Sequence, residues 1–97
     1  MNELTRFQID MLVAIDGLDD PCGLDVKRVL EAEYGKEVAH GRLYPGLDSL
    51  VDRGLVEKES GSVDGRTNTY RLADGGRQAL DARRRWIGRA EERDRDE

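Results

Sequence analysis

The sequence predicts a mainly α-helical fold with a small β-hairpin, an α+β arrangement within 97 residues. Three observations predict it. Apolar residues recur at helical spacing in three segments before residue 54, and two short segments that favour strands then flank a glycine-bounded turn. A stretch of strong helix formers closes the chain. We therefore expect one domain over residues 1–73, followed over residues 74–97 by a helix with a frayed, charged end.

The first helix is expected to begin at Thr5 and to end near Gly17. Thr5 and Gln8 have the spacing of a capping box, in which each side chain bonds to the other residue's backbone N–H. The residues up to Gly17 are too apolar for a helix with a single buried face. We therefore expect this helix to pack on its own domain and on a second copy of the chain, with Phe7 and Met11 at the interface.

The second helix is expected from about Gly23 to Gly35, after a turn that includes Pro21. Its apolar residues recur at helical spacing, and Tyr34 is expected in the core rather than on a binding surface. Cys22 is the only cysteine, so it cannot form an internal disulfide. The favoured interpretation of Cys22 is a small, half-buried residue at a helix start, with redox sensing as the alternative.

The third helix is expected to end at Gly54, a residue suited to a left-handed cap. Proline is tolerated in the first turn of a helix and kinks it elsewhere, so Pro45 is expected near the helix N-terminus. In helix-turn-helix proteins the N-terminal end of the recognition helix reads DNA base edges, and the third helix of this chain has that place. The face expected to be buried consists of Leu43, Leu47, Leu50 and Val51.

A β-hairpin is expected next, with strands over residues 55–59 and 68–72 and a turn over residues 61–65. Alternation along the second strand turns Tyr70 and Leu72 inward. A third helix that runs directly into such a two-stranded wing is the layout of a winged helix-turn-helix DNA-binding domain.

The last helix is expected from Asp74 onwards, and its apolar residues form only a thin stripe. Such a helix has little to pack on within one chain, so we expect it to cross to a second subunit and form a homodimer. A chain of this length also gains from a partner, because alone it buries only about 65 % of its surface. The stripe residues expected at the dimer interface are Leu80, Trp86, Ile87 and Ala90.

The third helix and the hairpin resemble those of the PadR family of transcriptional regulators. The shared motifs are Leu43-Tyr44-Pro45-x-Leu47, Gly54-Leu55-Val56 and a basic wing that ends in Tyr70-x-Leu72. The resemblance covers roughly residues 4–80, and the short tail resembles the family branch with a single C-terminal dimerisation helix. It implies a homodimer that binds double-stranded DNA, with Tyr44 at the DNA surface. The alternative is a Tyr44 that packs against the second helix.

The chain departs from the family pattern at two places. Cys22-Gly23-Leu24 stands where the family commonly has His-Gly-Tyr, so a contact made by that tyrosine is not carried over. Ala73-Asp74-Gly75-Gly76 replaces the usual Thr-x-x-Gly after the wing, which predicts a helix cap at Asp74.

The candidate DNA contacts lie before the third helix, on it and on the wing. Arg42 has two interpretations that the sequence leaves open, a bidentate partner for guanine or a phosphate clamp. The tip of the wing is expected to enter a minor groove or to touch phosphate, with a solvated turn as the alternative. The candidate DNA-binding residues are Lys36, His40, Arg42, Tyr44, Ser49, Lys58, Arg66, Thr67, Asn68 and Arg71.

Trp86 carries a further hypothesis. Some members of the short family branch bind flat aromatic drugs between paired tryptophans at the dimer centre, and Trp86 has a corresponding place on its helix. The resemblance therefore implies a small aromatic effector bound at Trp86. The alternative is that Trp86 only fills the dimer interface.

The charge balance is unusual for a DNA-binding protein. The chain has 21 acidic and 16 basic residues and a net charge of −5, whereas DNA-binding domains are usually basic. A halophilic archaeon or its virus as the source would account for the acidic surface, and a local basic patch can bind DNA whatever the total charge. The acidic surface also supports a rival function, a winged-helix protein-interaction module without DNA binding. Acidic residues among the basic candidates, such as Glu37, Glu57 and Asp64, would favour that module.

Catalysis, metal binding and membrane contact are not expected. One histidine, one cysteine and scattered carboxylates form no catalytic set and no zinc site, so we expect no enzyme activity and no cofactor. The N-terminal segment has neither a basic signal nor a long apolar run, which predicts a cytoplasmic protein. We predict a homodimeric transcriptional repressor that binds an inverted repeat with half-sites about one helical turn apart.

Overall fold

The computed structural model describes residues 4–61 and 68–95. Four helices and one antiparallel hairpin make up this part of the chain, so the expected mainly α fold with a small β-hairpin is confirmed. The elements in chain order are α1 (Arg6–Asp16), α2 (Gly23–Tyr34), α3 (His40–Asp52), β1 (Val56–Glu59), β2 (Thr69–Leu72) and α4 (Asp74–Arg95).

Local hydrogen bonds fix the start of α1 and the end of α2. The Thr5 hydroxyl accepts the Gln8 N–H at 3.1 Å, and Gln8 Oε1 accepts the Thr5 N–H at 2.9 Å, which completes the capping box. Gly35 ends α2 with a φ of +70°, and its N–H donates to the Glu31 carbonyl at 2.8 Å. The predicted start of α1 and the predicted end of α2 are thereby confirmed.

The end of α3 is closed by a Schellman motif. The Gly54 N–H donates to the Val51 carbonyl and the Leu55 N–H to the Leu50 carbonyl, both at 3.0 Å. This motif needs a left-handed residue, and Gly54 supplies it with a φ of +75°. Pro45 is the sixth residue of α3, one turn further into the helix than expected. Because proline has no N–H, the carbonyl four residues earlier lacks its helical hydrogen bond.

The hydrophobic core lies around α1, which packs against α2, α3, β2 and α4. Met11 is 0 % exposed and Leu80 is 2 % exposed. The structure places both in the core instead of at the dimer interface where we expected them, because other elements of the same chain already cover them. The buried core residues are Met11, Leu12, Ala14, Ile15, Val26, Leu30, Val38, Leu43, Leu47, Leu50, Val56, Tyr70 and Leu80.

The hairpin pairs β1 with β2 in antiparallel register and keeps one side on the core. Val56 lies opposite Leu72. Each strand begins one residue later than expected, at Val56 and at Thr69. Tyr70 is buried and Leu72 packs against the core, so the predicted inward side of β2 is confirmed.

The segment before α2 joins the edge of the hairpin. Cys22 forms a single bridge with Thr69, and the Tyr70 N–H donates to the Pro21 carbonyl at 2.9 Å. Cys22 is half-buried, which agrees with its favoured interpretation. The bridge ties the start of α2 to the wing, a link that the sequence did not predict.

α4 contains 22 residues and begins directly after the hairpin. Asp74 lies in its first turn rather than at the cap where we expected it, because the Ala73 carbonyl already accepts the first helical bond, from the Arg77 N–H at 3.0 Å. Arg77 and Arg84 donate to the two carboxylate oxygens of Asp16, at 3.3 and 3.1 Å, and hold α4 against the end of α1. None of the helices in the described ranges has the length and apolar character needed to cross a membrane.

Candidate DNA-binding surface

α3 buries one face and presents the other to solvent. Leu43, Leu47 and Leu50 are fully buried and hold the helix on the core, whereas His40 and Pro45 are exposed. The helix also contacts β1, so its exposed side lies beside the hairpin. An α-helix is about 10–12 Å across with its side chains, and a major groove about 12 Å wide admits it. α3 therefore has the exposure and the dimensions of a recognition helix.

Tyr44 is half-buried against the start of α2. A Cβ added at Gly23 would come within 2.6 Å of the Tyr44 ring, so this close approach requires glycine. The His40 ring meets the Tyr44 ring edge to face, with ring centroids 5.7 Å apart. The packing against the second helix that we held as the alternative is therefore present, and Tyr44 supports His40 at the N-terminus of α3.

The flank of α3 that faces α1 carries Arg42 and Ser49. The Arg42 guanidinium lies over the Phe7 ring, 4.0 Å from its centroid, in cation–π geometry. Gln8 Nε2 donates to Ser49 Oγ at 3.3 Å, which turns Ser49 towards α1, and a contact of Ser49 with DNA stays a prediction. Phe7 is half-buried and packs against the core, beside Tyr34 of α2 and under Arg42 of α3, and its place at the dimer interface stays a prediction. Lys36 is exposed and lines the same flank as Arg42.

The basic side chains of the two wing strands are paired with acids. Arg71 Nε donates to Glu57 Oε1 at 2.9 Å across the hairpin, and this hydrogen bond raises the pKa of Arg71 above its ordinary value. Lys58 Nζ lies 3.9 Å from Asp48 Oδ1 of α3. Glu57 is one of the acidic residues whose place among the basic candidates would favour the protein-interaction module, and it pairs with Arg71. The strands therefore offer DNA little uncompensated positive charge.

The tip of the wing lies outside the described residues. Arg66 and Thr67 belong to it, together with Asp64, so their roles stay predictions. Asn68 follows the tip and is half-buried beside β2. Glu37 is exposed in the segment that precedes α3.

A second exposed surface, of apolar side chains, lies between α1 and α4. Val13 is 49 % exposed, Trp86 53 % and Ile87 45 %. These side chains line a groove of about 350 Å³ between the two helices. The Arg83 guanidinium lies 5.8 Å from the centroid of the Trp86 ring. Ala90, one turn beyond Trp86, is half-buried.

The sequence analysis did not identify two features of the candidate DNA-binding surface. Asp48 and Asp52 are exposed on the outward face of α3, and their spacing of four residues from each other could have revealed them as neighbours on one face. The support of Arg42 by Phe7 has no sequence signal, because it joins the first turns of two helices that are distant in the chain.

Comparisons with known proteins relate this chain to transcriptional regulators. The model of the transcriptional regulator PadR-like family matches residues 11–82. RosR from H. salinarum is 47 % identical, with a TM-score of 0.79, and the match covers 88 % of this chain and 74 % of RosR. The structure of the RosR-S1 complex shows 48 % identity and a TM-score of 0.78, with 87 % of this chain and 72 % of that chain covered.

A more distant similarity is to a mutant of MarR from E. coli, whose structure was solved with operator DNA. It is 26 % identical, with a TM-score of 0.77, and the match covers 91 % of this chain and 59 % of MarR. Among curated proteins, none matches this chain in sequence.

Proposed function

We propose that this chain, which belongs to the PadR-like family of transcriptional regulators, is a homodimeric repressor that binds an inverted repeat through two copies of α3. It is a sequence-specific DNA-binding regulator rather than the rival protein-interaction module. A dimer bound across a promoter would repress by occlusion. A change in the spacing of the two α3 helices, transmitted through α4, would relieve repression.

The exposed N-terminal end of α3, a helix that also contacts β1, is the observation that carries this proposal. His40 lies at the first position of the helix, and Tyr44 supports it from behind. In a major groove the His40 ring can bond to base edges, and the wing then lies over the backbone or the adjacent minor groove. The operator complex of the similar MarR supports DNA binding by this chain.

Homodimerisation is supported by the apolar side chains that α1 and α4 leave exposed. A second copy packed along α4 would cover Val13, Trp86 and Ile87, and a large aromatic side chain such as Trp86 contributes much of the area that such an interface buries. A two-fold axis between the copies would present two α3 helices to half-sites about one helical turn apart, roughly 34–36 Å.

Fluorescence anisotropy tests DNA binding, with one labelled duplex from the gene's upstream region and one scrambled duplex. The Arg42→Ala, Arg66→Ala double variant is compared with Arg85→Ala, Arg89→Ala, which removes the same charge from exposed positions of α4. We expect saturable binding that favours the upstream duplex, is lost in the first variant and is kept in the second. Equal binding of the two duplexes by the wild type would contradict a sequence-specific regulator.

Light scattering tests the dimer. We expect the wild type to have about twice the 10.9 kDa mass of the chain and the Trp86→Ala, Ile87→Ala variant to dissociate at higher protein concentration than the wild type. Leu24→Ala is the control, because Leu24 is exposed on α2 and does not line the groove between α1 and α4. A single-chain mass for the wild type at every concentration would refute dimerisation.

A small aromatic effector bound at Trp86 is a second proposal. Trp86 is about half exposed, and the position of Arg83 near its ring supports the approach of a cationic ligand to the aromatic face. Trp86 is the only tryptophan of the chain, so its fluorescence reports this site alone. Saturable quenching by planar cationic dyes is expected. No response across several dye classes would leave Trp86 as an interface residue.

We also propose a halophilic source, supported by the acidic composition and by the similarity to RosR from H. salinarum. The protein would act in the cytoplasm, where its DNA target lies. Acidic, lysine-poor surfaces suit concentrated salt, so the folded chain should stay soluble in molar potassium chloride. Precipitation there, with good solubility in dilute buffer, would count against this source.

A further inference from the structure

A small groove lies where the first turns of α1 and α3 meet the end of α2. Its volume is about 210 Å³, and three basic side chains line it, those of Arg6, Lys36 and Arg42. All three are exposed, and the Arg6 side chain keeps 89 % of its surface accessible. The groove opens on the flank of the α3 N-terminus, beside the exposed face of that helix.

The one carboxylate that lines this groove, that of Asp10, is already engaged. The Tyr34 hydroxyl donates to Asp10 Oδ2, and Arg6 Nε lies 3.9 Å from Oδ1. Among the carboxylates of residues 4–61 and 68–92, none lies within ion-pair distance of Lys36 or Arg42. The groove therefore keeps a net positive charge.

Phe7 sets the direction of Arg42. The guanidinium lies 4.0 Å from the centroid of the Phe7 ring, which directs it towards α1 and away from the outward face of α3. A bidentate bond to guanine would require Arg42 to leave this ring. While it stays on the ring, the N–H groups at the edge of the guanidinium can still donate to an anion in the groove.

The other basic residues beside α3 contrast with this groove. Arg71 donates to Glu57 and Lys58 lies near Asp48, so each carries its counter-charge within the protein. In a chain with a net charge of −5, a phosphate is attracted where positive charge is locally uncompensated. Of the described surfaces next to α3, the groove at Arg42 meets this condition best.

We propose that Arg42, Lys36 and Arg6 form a phosphate clamp that holds the DNA backbone at the edge of the major groove, with Phe7 as the residue that positions Arg42. This inference rests on the proposed function, because it needs the N-terminus of α3 to enter the groove. Side chains on the flank of an inserted helix meet the phosphates that border the groove. The clamp carries no sequence information, and base reading falls to the face that bears His40.

Anisotropy titrations of the full chain on the upstream and scrambled duplexes, at several salt concentrations, test the clamp. In the proposed dimer one substitution removes two phosphate contacts, which lowers the steepness of log affinity against log salt by about 1.8, or roughly 12-fold in affinity over a fourfold rise in salt. We expect Arg42→Gln to weaken both duplexes by the same factor and to reduce the slope by this amount. Adding Lys36→Gln should double the reduction, and Arg85→Gln on α4 should change neither quantity.

Several outcomes would overturn the clamp. If Arg42→Gln lowered the affinity for the upstream duplex alone, Arg42 would read bases. If it left the salt slope unchanged, Arg42 would not contact the DNA backbone. If Arg85→Gln lowered the affinity and the slope as much as Arg42→Gln, the effect would come from the net charge of the protein and not from the clamp. Equal binding of both duplexes by the wild type would contradict the proposed sequence-specific function but not the clamp. In that case the clamp still predicts the slope changes on both duplexes. Failure of the wild type to bind either duplex at low salt would refute both.

A double-mutant cycle tests the positioning role of Phe7. Phe7→Leu keeps an apolar side chain but removes the ring face, so it should weaken both duplexes, by less than Arg42→Gln does. In the Arg42→Gln background it should weaken them no further, because the contact that it supports is already absent. Equal losses in both backgrounds would show a general effect on folding and refute the positioning role.

Discussion

Replacing Gly76 with alanine is expected to destabilise the protein, whereas the same replacement of Gly88 in the same helix is expected to stabilise it. A Cβ added at Gly76 would lie 2.1 Å from the carbonyl oxygen of Leu55, because the first turn of α4 passes directly over the backbone that precedes β1. At Gly88 no atom of the described chain lies within 4 Å of the added Cβ. The two sites therefore separate the steric effect from helix propensity.

The magnitudes follow from these contacts. Alanine is favoured over glycine inside a helix by about 0.8–1.0 kcal/mol, and Gly88→Ala should gain about that much. Gly76→Ala gains the same amount but meets a backbone oxygen that cannot rotate away, so its steric cost lies at or above the upper end of about 1–3 kcal/mol. The net loss is about 2 kcal/mol, and the two variants should differ by about 3 kcal/mol.

Urea unfolding followed by circular dichroism measures these differences. All variants are compared at one protein concentration and one salt concentration, because the stability of a dimer depends on its concentration. Gly41→Ala is a second control, since its Cβ also meets no described atom and α3 is remote from the apolar surface of α4. Wild-type stability in Gly76→Ala, or an equal loss in Gly88→Ala and Gly41→Ala, would refute the steric argument.

Three further predictions concern the ion pairs, the ring packing and the titration of the fold. Asp16→Asn breaks two ion pairs to exposed arginines of α4. Each such pair contributes at most about 1 kcal/mol, so the free energy of unfolding should fall by no more than about 2 kcal/mol. Amide exchange at the start of α4 should accelerate, and unchanged exchange would contradict the role of Asp16. Gly23→Ala places a Cβ within 2.6 Å of the Tyr44 ring, so DNA affinity measured by anisotropy should fall, and wild-type affinity would show that this packing does not matter. Burial and the bond to Asp10 raise the pKa of Tyr34 from 10.0 to about 12; because the folded value is the higher one, this contribution to stability is present below the unfolded pKa and is lost as the pH rises towards 12. Burial also raises the pKa of Tyr70, so an ultraviolet titration should show late ionisation of two tyrosines. Tyr34→Phe should lower the amplitude of the late ionisation, and an unchanged amplitude would contradict the assignment.

Much of the fold could be predicted because local chemistry and tertiary packing agree. Thr5 begins α1, Gly35 ends α2 and Gly54 follows α3 in a left-handed conformation, each for a reason that neighbouring residues supply. The bridge of Cys22 to β2 could not be predicted in this way, because it joins segments that are distant in the sequence.

The dimer-interface predictions show a different limit. Periodicity recognised Met11 and Leu80 as apolar positions on helices, but it could not tell whether the same chain or a second copy covers them. That depends on how far the other elements wrap around α1. They bury Met11, Leu12, Ala14 and Ile15 and leave Phe7 and Ile9 half-buried. Of the strongly apolar residues of α1, only Val13 remains exposed. The many apolar residues of α1 therefore support a second copy of the chain less strongly than the exposed Trp86 and Ile87 of α4 do.

The DNA-side predictions were limited by the orientation of side chains around α3. Helical spacing puts Arg42 and Ser49 on one flank, yet only the packed structure shows that this flank faces α1. The consequence differs between the two residues. Ser49 accepts a bond from Gln8 and is half-buried, whereas Arg42 is long enough to cross Phe7 and reach solvent. Whether Arg42 reads bases or clamps phosphate therefore depends on Phe7, which lies outside the family motif of α3.

The same arrangement reconciles an acidic chain with DNA binding. Paired cations such as Arg71 and Lys58 bring an acid with them, so they release few counterions when a phosphate approaches. Arg6 shares its charge with Asp10, so we count only the clamp residues without a carboxylate partner. Lys36 and Arg42, each present twice in the proposed dimer, would supply four contacts and a slope of about −3.6. A fourfold rise in salt would then cost roughly 150-fold in affinity, whereas six to ten contacts would cost about 10³–10⁵-fold. Sparse, uncompensated cations beside a recognition helix thus favour a regulator whose binding resists salt, which is the behaviour that the acidic composition requires.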